Sequence, residues 1–302
     1  MSIDAVEHSI PAIKPAIDRA QILKAAATLG ILGSGADSVP RMLALLCDPQ
    51  GDGSEIASLI RRQPSMYARV LRVANSSYYG HPRSITTMER ALLMLGRDAV
   101  RGIAAATCFD RTMARSMQNR AVDMQVVARH SLTTAVAAEA LAKIARRPMV
   151  SEAFIAGLLH NLGIAIQVHL DPRGIDAMVD ANRDGPACGI RVLESKHAIA
   201  GHEECLAVVF EAWQMPASLV AAAGNHHAPM DAPESHRDLT ALVNLGANLG
   251  LAIGPCHSLE PAPLERHLPA MLWLGLTDEH LDDVAAQLPA RVAELCSALF
   301  DS

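Results

Sequence analysis

Five histidines carry most of the chemistry that this sequence offers: His130, His160, His202 and the adjacent pair His226 and His227. Imidazole binds zinc and nickel and titrates near neutral pH, so a set brought together by folding could hold such a metal or move a proton. Carboxylates, which harder ions prefer, are scarce beside these positions. His160 is followed by Asn161, whose amide offers only a neutral carbonyl oxygen. Glu203 and Glu204 follow His202 and could supply charge, although glutamates on a helix more commonly face solvent. The plainer reading of each histidine is a neutral, hydrogen-bonded group inside the core. His169 is a contrast: on a continuous helix it would point away from His160, since nine steps of about 100° end on the opposite face.

The elements that must position these residues are helices. Half of the 302 residues are hydrophobic but only 3% are aromatic, and the dominance of Ala, Leu, Met and Arg favours an all-α chain over a β-rich one. Apolar residues recur at helical spacing from Ile22 onward. Ser54 is expected to cap one helix, Pro64 to open the next, and Thr86 to Glu89 to form a capping box before a helix interrupted at Gly96. An alanine-rich helix over 126–144 should carry His130, and a following one, capped by Ser151, should carry His160. Further helices are expected near 174–184, 188–197, 200–213, 216–226 and 237–252, with a last one from Thr277 to Phe300 that Pro289 can kink.

Composition excludes several classes. The six cysteines (Cys47, Cys108, Cys188, Cys205, Cys256, Cys296) include no CxxC pair, which speaks against a zinc ribbon or a disulfide framework and for a reducing cytoplasm. The N-terminus lacks a basic start followed by an apolar run, so no secretory signal is expected. The apolar stretch from Phe154 to Leu170 is interrupted by His160, Asn161, Gln167 and His169, as in a buried core helix and unlike a membrane span. Net charge is −6, yet residues 61–120 hold eleven arginines, no lysine and three acids. Arg61, Arg62, Arg69, Arg72 and Arg83 are candidates for a basic partner surface, since guanidinium suits bidentate carboxylate or phosphate contacts. Solvated arginines docking on acidic helices are the competing explanation. Few aromatics are present to stack on bases, so nucleic acid is not the expected partner.

Several segments in order resemble one family. They are VPRMLALLCDP, IRRQPSMYARVLRVANSSYYG and ITTMERALLMLGRDAVRGI within residues 39–107, SEAFIAGLLHNLG at 151–163, and the run from HEECLAVVFEAWQMP to NHH at 202–227. Together they resemble the HDOD domain, a bacterial relative of the HD phosphohydrolases, over roughly residues 22–250. The resemblance implies an all-helical fold and a place in bacterial signal transduction and regulation, in a family that generally lacks a demonstrated phosphohydrolase activity. HD enzymes hold a divalent cation with a His, a His-Asp doublet and a later Asp. His130 and His160 match the two histidines, while Asn161 and Ala247 stand at the two aspartates. His202, His226 and His227 match positions used in related two-metal HD sites. Removing carboxylate ligands weakens a divalent site by more than the 10–100-fold typical of losing an outer-shell partner.

The sequence therefore predicts an all-α, two-part helical bundle: an extension over 1–21, an N-terminal helical subdomain over 22–115, an HD-like subdomain over 116–252 and a C-terminal helical extension over 253–302. The expected function is non-catalytic: a cytoplasmic regulatory module binding a partner protein or a small anionic nucleotide effector. A weak HD-type phosphohydrolase and a ligand-free helical scaffold are the alternatives. No receiver, kinase or cyclase domain is expected in the remaining sequence. No cofactor is expected; His130 and His160 are the weak metal candidates, with adventitious zinc or nickel the ions they would take.

Overall fold

The computed structural model describes residues 19–28, 39–48, 52–80, 84–115, 122–184, 188–254, 259 and 266–300. Among them every regular element is helical. The helices are α1 (Arg19–Thr28), α2 (Val39–Cys47), α3 (Gly53–Arg61), α4 (Pro64–Ala74), α5 (Met88–Arg115), α6 (Met124–Ile144), α7 (Val150–Leu159), α8 (Leu162–Leu170), α9 (Pro172–Asp184), α10 (Ile190–Lys196), α11 (His202–Ala212), α12 (Ala217–Asn225), α13 (Arg237–Ile253), α14 (Leu268–Leu274) and α15 (Asp278–Phe300). The expected extension over 1–21 and the expected boundary near 116 lie largely or wholly outside the described residues.

In the first part, α2, α3 and α4 pack around α5, whose far side meets α7. Gly96 sits at φ 82° and kinks α5 where the sequence placed an interruption. Pro64 opens α4 as expected. Three caps fall elsewhere than the residue types suggested. Asp52, not Ser54, caps α3, because its carboxylate reaches the Ser54 N–H at 3.0 Å. Thr87, not Thr86, accepts from the Arg90 N–H at 3.2 Å. Helix α7 starts at Val150 with Met149 at its cap position, which leaves Ser151 inside the first turn.

The turn after α4 is closed by Asn75. Its Nδ2 donates to the carbonyls of Leu71 and Ile85, both at 2.7 Å, and its Oδ1 accepts from the Ile85 N–H at 2.7 Å. One side chain thus serves α4 and the segment ten residues on, the role expected of Asn at a helix terminus.

The second part is built on α6, which is buried along most of its length and packs against α7, α13 and α15. Small residues let these helices close up: a Cβ on Gly157 of α7 would lie 2.9 Å from the Ala135 Cα on α6. Helices α8, α11 and α12 extend this bundle, and α1 packs on α8 and α11. The C-terminal α15 touches both parts, lying on α6, α4 and α13. The apolar stretch Val150–Leu170, long enough to cross a membrane, is mostly buried within the fold and broken at His160.

Candidate functional site

Helix ends deliver most of the histidines to one place. His160 closes α7, Asn161 precedes α8, His202 is the first residue of α11, and His226 and His227 follow α12. Only His130 comes from a helix interior, that of α6. The rings form a continuous path, with centroids 5.4 Å apart for His130 and His160, 5.0 Å for His160 and His226, 5.1 Å for His226 and His202, and 4.4 Å for His226 and His227. His130, His160, His202 and His226 are buried, and His227 is partly exposed. The five histidines singled out from sequence are brought together. His169 is exposed, as expected, although α7 and α8 are separate helices and not one continuous rod.

A glycine makes the approach of α8 to α11 attainable. A Cβ on Gly163 would lie 2.0 Å from the His202 carbonyl oxygen, so no larger residue fits without moving backbone. Helix α13 holds the other side: Asn244 Nδ2 donates to the His226 carbonyl at 2.7 Å, and Gly250 leaves room for the His130 ring. Ala247, on the same helix, is buried.

The three nitrogens that converge most closely belong to His202, His226 and His227. His202 Nε2 lies 3.1 Å from His226 Nε2 and 3.2 Å from His227 Nε2. Among the described residues these three form the group of His, Cys, Asp or Glu able to offer ligand atoms to one metal ion, with all donor atoms within 4.8 Å of one another. The sequence named His130 and His160 as the weak metal candidates; the donor atoms that lie closest together belong instead to this second group. His160 directs Nδ1 at the Gly157 carbonyl, 2.7 Å away, and the ring meets His130 edge-on.

Two carboxylates support this triad, and the sequence reading missed one of them. Glu194 Oε1 accepts from His202 Nδ1 at 2.7 Å, from the His202 N–H at 2.8 Å and from Gln167 Nε2 at 2.6 Å. Burial acts to raise the Glu194 carboxyl pKa, but its His202 partner and these hydrogen bonds outweigh it and hold the group below the usual carboxylate range. Nothing in the sequence flags Glu194: it lies eight residues before His202 on a short helix that reads as polar surface. Glu203 departs from the solvent-facing expectation. It is largely buried, accepts from the His227 N–H at 3.1 Å and pairs with Arg191 at 3.4 Å, and burial raises its pKa. Glu204 is exposed, as expected.

Burial favours the neutral form of three of the imidazoles. It pushes His130 down to about 3, assisted by its neighbour His160, and lowers His226 and His227 well below the ordinary histidine value, assisted by the adjacent rings. Neutral imidazoles are ligands and hydrogen-bond partners; they carry no charge to attract an anion.

The arginines of the first part have mixed fates. Arg61, at the end of α3, pairs with Glu89. Arg62 is exposed and bonds Ser58 Oγ at 3.3 Å. Arg69 and Arg72 stand one turn apart on α4, the first partly exposed and the second exposed. Arg97 pairs with Asp98. Arg101 is buried, donates to the Leu46 carbonyl and pairs with Asp98 at 3.3 Å, which makes it a strut between α2 and α5. Arg83 lies outside the described residues.

The sequence pattern of the HDOD domain matches residues 32–229, about two thirds of the chain. The chain belongs to the HDOD domain family. It is similar in structure to an HDOD domain protein of unknown function from Geobacter sulfurreducens, with a TM-score of 0.71, 19% identity, and coverage of 94% of this chain and 97% of that one. A protein from Marinobacter aquaeolei VT8, provisionally named for signal transduction, gives a TM-score of 0.73 at 21% identity over 98% of this chain and 68% of that one. One from Shewanella amazonensis SB2B, provisionally named a phosphohydrolase, gives 0.68 at 19% over 93% and 98%. These likenesses establish the all-α fold. An uncharacterized protein of Treponema pallidum is 22% identical over 217 residues, 68% of this chain but only 41% of that relative's length.

Proposed function

We propose that this chain is a non-catalytic regulatory module that works by binding a partner protein or a small anionic effector. The observation that carries this reading is the fate of the carboxylates around the histidines. Asn161 and Ala247 occupy the two places where HD chemistry calls for aspartate, and both are buried. The two carboxylates that do reach the cluster are engaged in holding it, Glu194 on His202 and Gln167, and Glu203 on the His227 backbone and Arg191. A hydrolytic site needs charge to compensate a hard ion and a base to take a proton from water, and these two carboxylates are already engaged. Membership of a family with a relative named for signal transduction supports the same reading.

A second reading, weak metal-dependent phosphohydrolysis, draws on the converging nitrogens of His202, His226 and His227 and on the relative named as a phosphohydrolase. One experiment separates the two. Metal-stripped protein is supplied in turn with Mn, Mg, Fe, Ni and Zn and offered nucleotides, cyclic dinucleotides and generic phosphoesters. The regulatory reading expects no turnover with any of them. Turnover that disappears in His160→Ala would overturn it. The binding face is tested separately by the charge reversals Arg61→Glu with Arg62→Glu and Arg69→Glu with Arg72→Glu, which should weaken capture of partners in a salt-sensitive manner while helical content is kept.

A further inference from the structure

We propose that copies of this chain associate head to tail, the exposed Leu93 and Met94 of one copy seated on the exposed Leu268 and Leu272 of the next. The contact is between like chains and does not depend on the regulatory reading above or on the histidine cluster.

Among the described residues six large apolar side chains are exposed, and four of the six stand in two pairs, Leu93 with Met94 on α5 and Leu268 with Leu272 on α14. Leu93 and Leu272, at 82% and 71% exposure, are the most open of the six. Single exposed apolar residues need no explanation, whereas contiguous ones mark a contact surface. Both pairs lie on helical stretches that have no polar face. Residues Ala91 to Leu95 are all apolar, and α14 reads LPAMLWL without one charged residue. In α14 the side chains of Ala270, Met271 and Leu274 are buried, while Leu268 and Leu272, four residues apart, lie one above the other on the outside. A helix that is apolar all round is ordinarily covered all round. The folded chain covers only one side of α14.

The rims of the two pairs carry opposite charge. Arg90 stands one turn before Leu93 and Met94, and Arg97 lies just past the Gly96 kink, both exposed. With Arg61 and Arg101 they make four arginines against two acids, Glu89 and Asp98. Around α14 the balance reverses. Arg266, two residues before Leu268, is shared by Asp278 and Asp282 of α15, and Glu279 lies in the same first turn as Asp278. Next to Leu272, Trp273 lines an open cleft with Arg147, Glu234 and Asp238, and Arg237 lies over its ring. That side therefore has five acids against three arginines. Like-charged rims repel and opposite ones attract, so neither face suits a second copy of itself and each suits the other. Since both pairs stay exposed in the folded chain, they do not meet within one copy. A neighbouring copy brings basic rim onto acidic rim and apolar pair onto apolar pair. Such a contact is heterologous: each chain keeps a free face at either end, and assemblies grow past the dimer.

The test is sedimentation equilibrium of the full chain from micromolar to near-millimolar concentration. We expect the average mass of the parent to rise with concentration past that of a dimer. The double variants Leu93→Ser with Met94→Ser and Leu268→Ser with Leu272→Ser, all at exposed positions, should each sediment as monomers with helical content kept. Mixed in equal amounts, the two should form a heterodimer and nothing larger, because each still carries the face that the other lacks. Arg90→Glu and Glu234→Arg leave the apolar pairs intact and should each shift association of the otherwise unchanged chain to higher concentration. A parent that stays monomeric or stops at a dimer, association retained by either double variant alone, association unmoved in both charge variants, or no heterodimer on mixing would each overturn the assignment.

Discussion

Glu194 and His202 are joined twice, through the ring Nδ1 at 2.7 Å and through the backbone N–H at 2.8 Å, with both side chains almost fully buried. The double contact ties the start of α11 to α10 and fixes the direction in which the His202 ring points. Removing the carboxylate leaves a buried imidazole, a buried N–H and the Gln167 amide short of their acceptor. Loss of one partner of such a buried pair costs about 3–5 kcal/mol. Glu194→Ala should therefore lower stability by an amount of that order in urea unfolding of metal-free protein, and Glu194→Gln by clearly less. Equal stability of Glu194→Ala and the parent would show that the contact does not hold the site together.

Acid should unfold the protein sooner than its carboxylates alone require. His130, His226 and His227 have folded-state pKa values below the unfolded value of 6.5. The unfolded chain takes up their protons first, so the stability they contribute is complete above about pH 6.5 and is lost as pH falls below it, for His130 down to about 3. Each such group gives a slope of at most about 1.4 kcal/mol per pH unit. Glu203, whose pKa is raised, works in the opposite direction and offsets part of the loss. Urea midpoints of metal-free protein should be level between pH 7 and 8 and fall steadily from pH 6.5 to 5. A flat profile across that lower window would contradict the burial of neutral histidines.

Gly163→Ala should be one of the more damaging single-methyl additions in the chain. The new carbon would sit 2.0 Å from the His202 carbonyl oxygen, a backbone atom at the mouth of α11 that cannot rotate away. Overpacking of this kind costs about 1–3 kcal/mol, and the shift it forces moves His202 relative to His226. The variant should lose stability on thermal unfolding. Gly96→Ala is a useful comparison: nothing lies within 4 Å of its Cβ position, so any cost there comes from the backbone at φ 82° alone.

The fold was legible because its signals are local. Helical periodicity, Pro64, Gly96 and Asn75 mark their elements in the chain itself, and the order of segments matched the family. The histidines were legible as a set for the same reason. Their gathering in one pocket came from the family resemblance; which nitrogens converge most closely did not, because that depends on which helix ends meet. The fully buried His202 is the hub, and it meets His226 and His227 through the packing of α11 on α12, which pairs residues twenty-four and twenty-five positions apart. Glu194 was invisible because a buried glutamate has no sequence mark; its partners are eight and twenty-seven residues away. Ser54 and Ser151 misled for a smaller reason. Several residues near each helix start are good caps, and backbone geometry chose Asp52 in one case and no side chain in the other.

The last prediction concerns how the C-terminal helix is fastened to the rest. Arg291 on α15 donates to the Tyr78 hydroxyl at 2.9 Å and lies 3.5 Å from Glu139 on α6, while Tyr78 donates to the same Glu139 oxygen at 3.1 Å. The guanidinium carbon also stands over the Tyr78 ring, 5.2 Å from its centroid. Three elements distant in sequence, the turn after α4, α6 and α15, thus share one partly buried triad. Because each member touches the other two, their contributions should not add. Tyr78→Phe removes a hydroxyl but keeps the ring, and Arg291→Met removes the charge but keeps most of the stem. In a double-mutant cycle read by urea unfolding, the pair should show a coupling of about 0.5–3 kcal/mol, the range for residues in one hydrogen-bond network. The coupling should shrink when Glu139 is replaced by Gln, which weakens the ionic partner of Arg291. Strict additivity would mean that α15 is held by its apolar face alone, through Leu288, Val292 and Leu295.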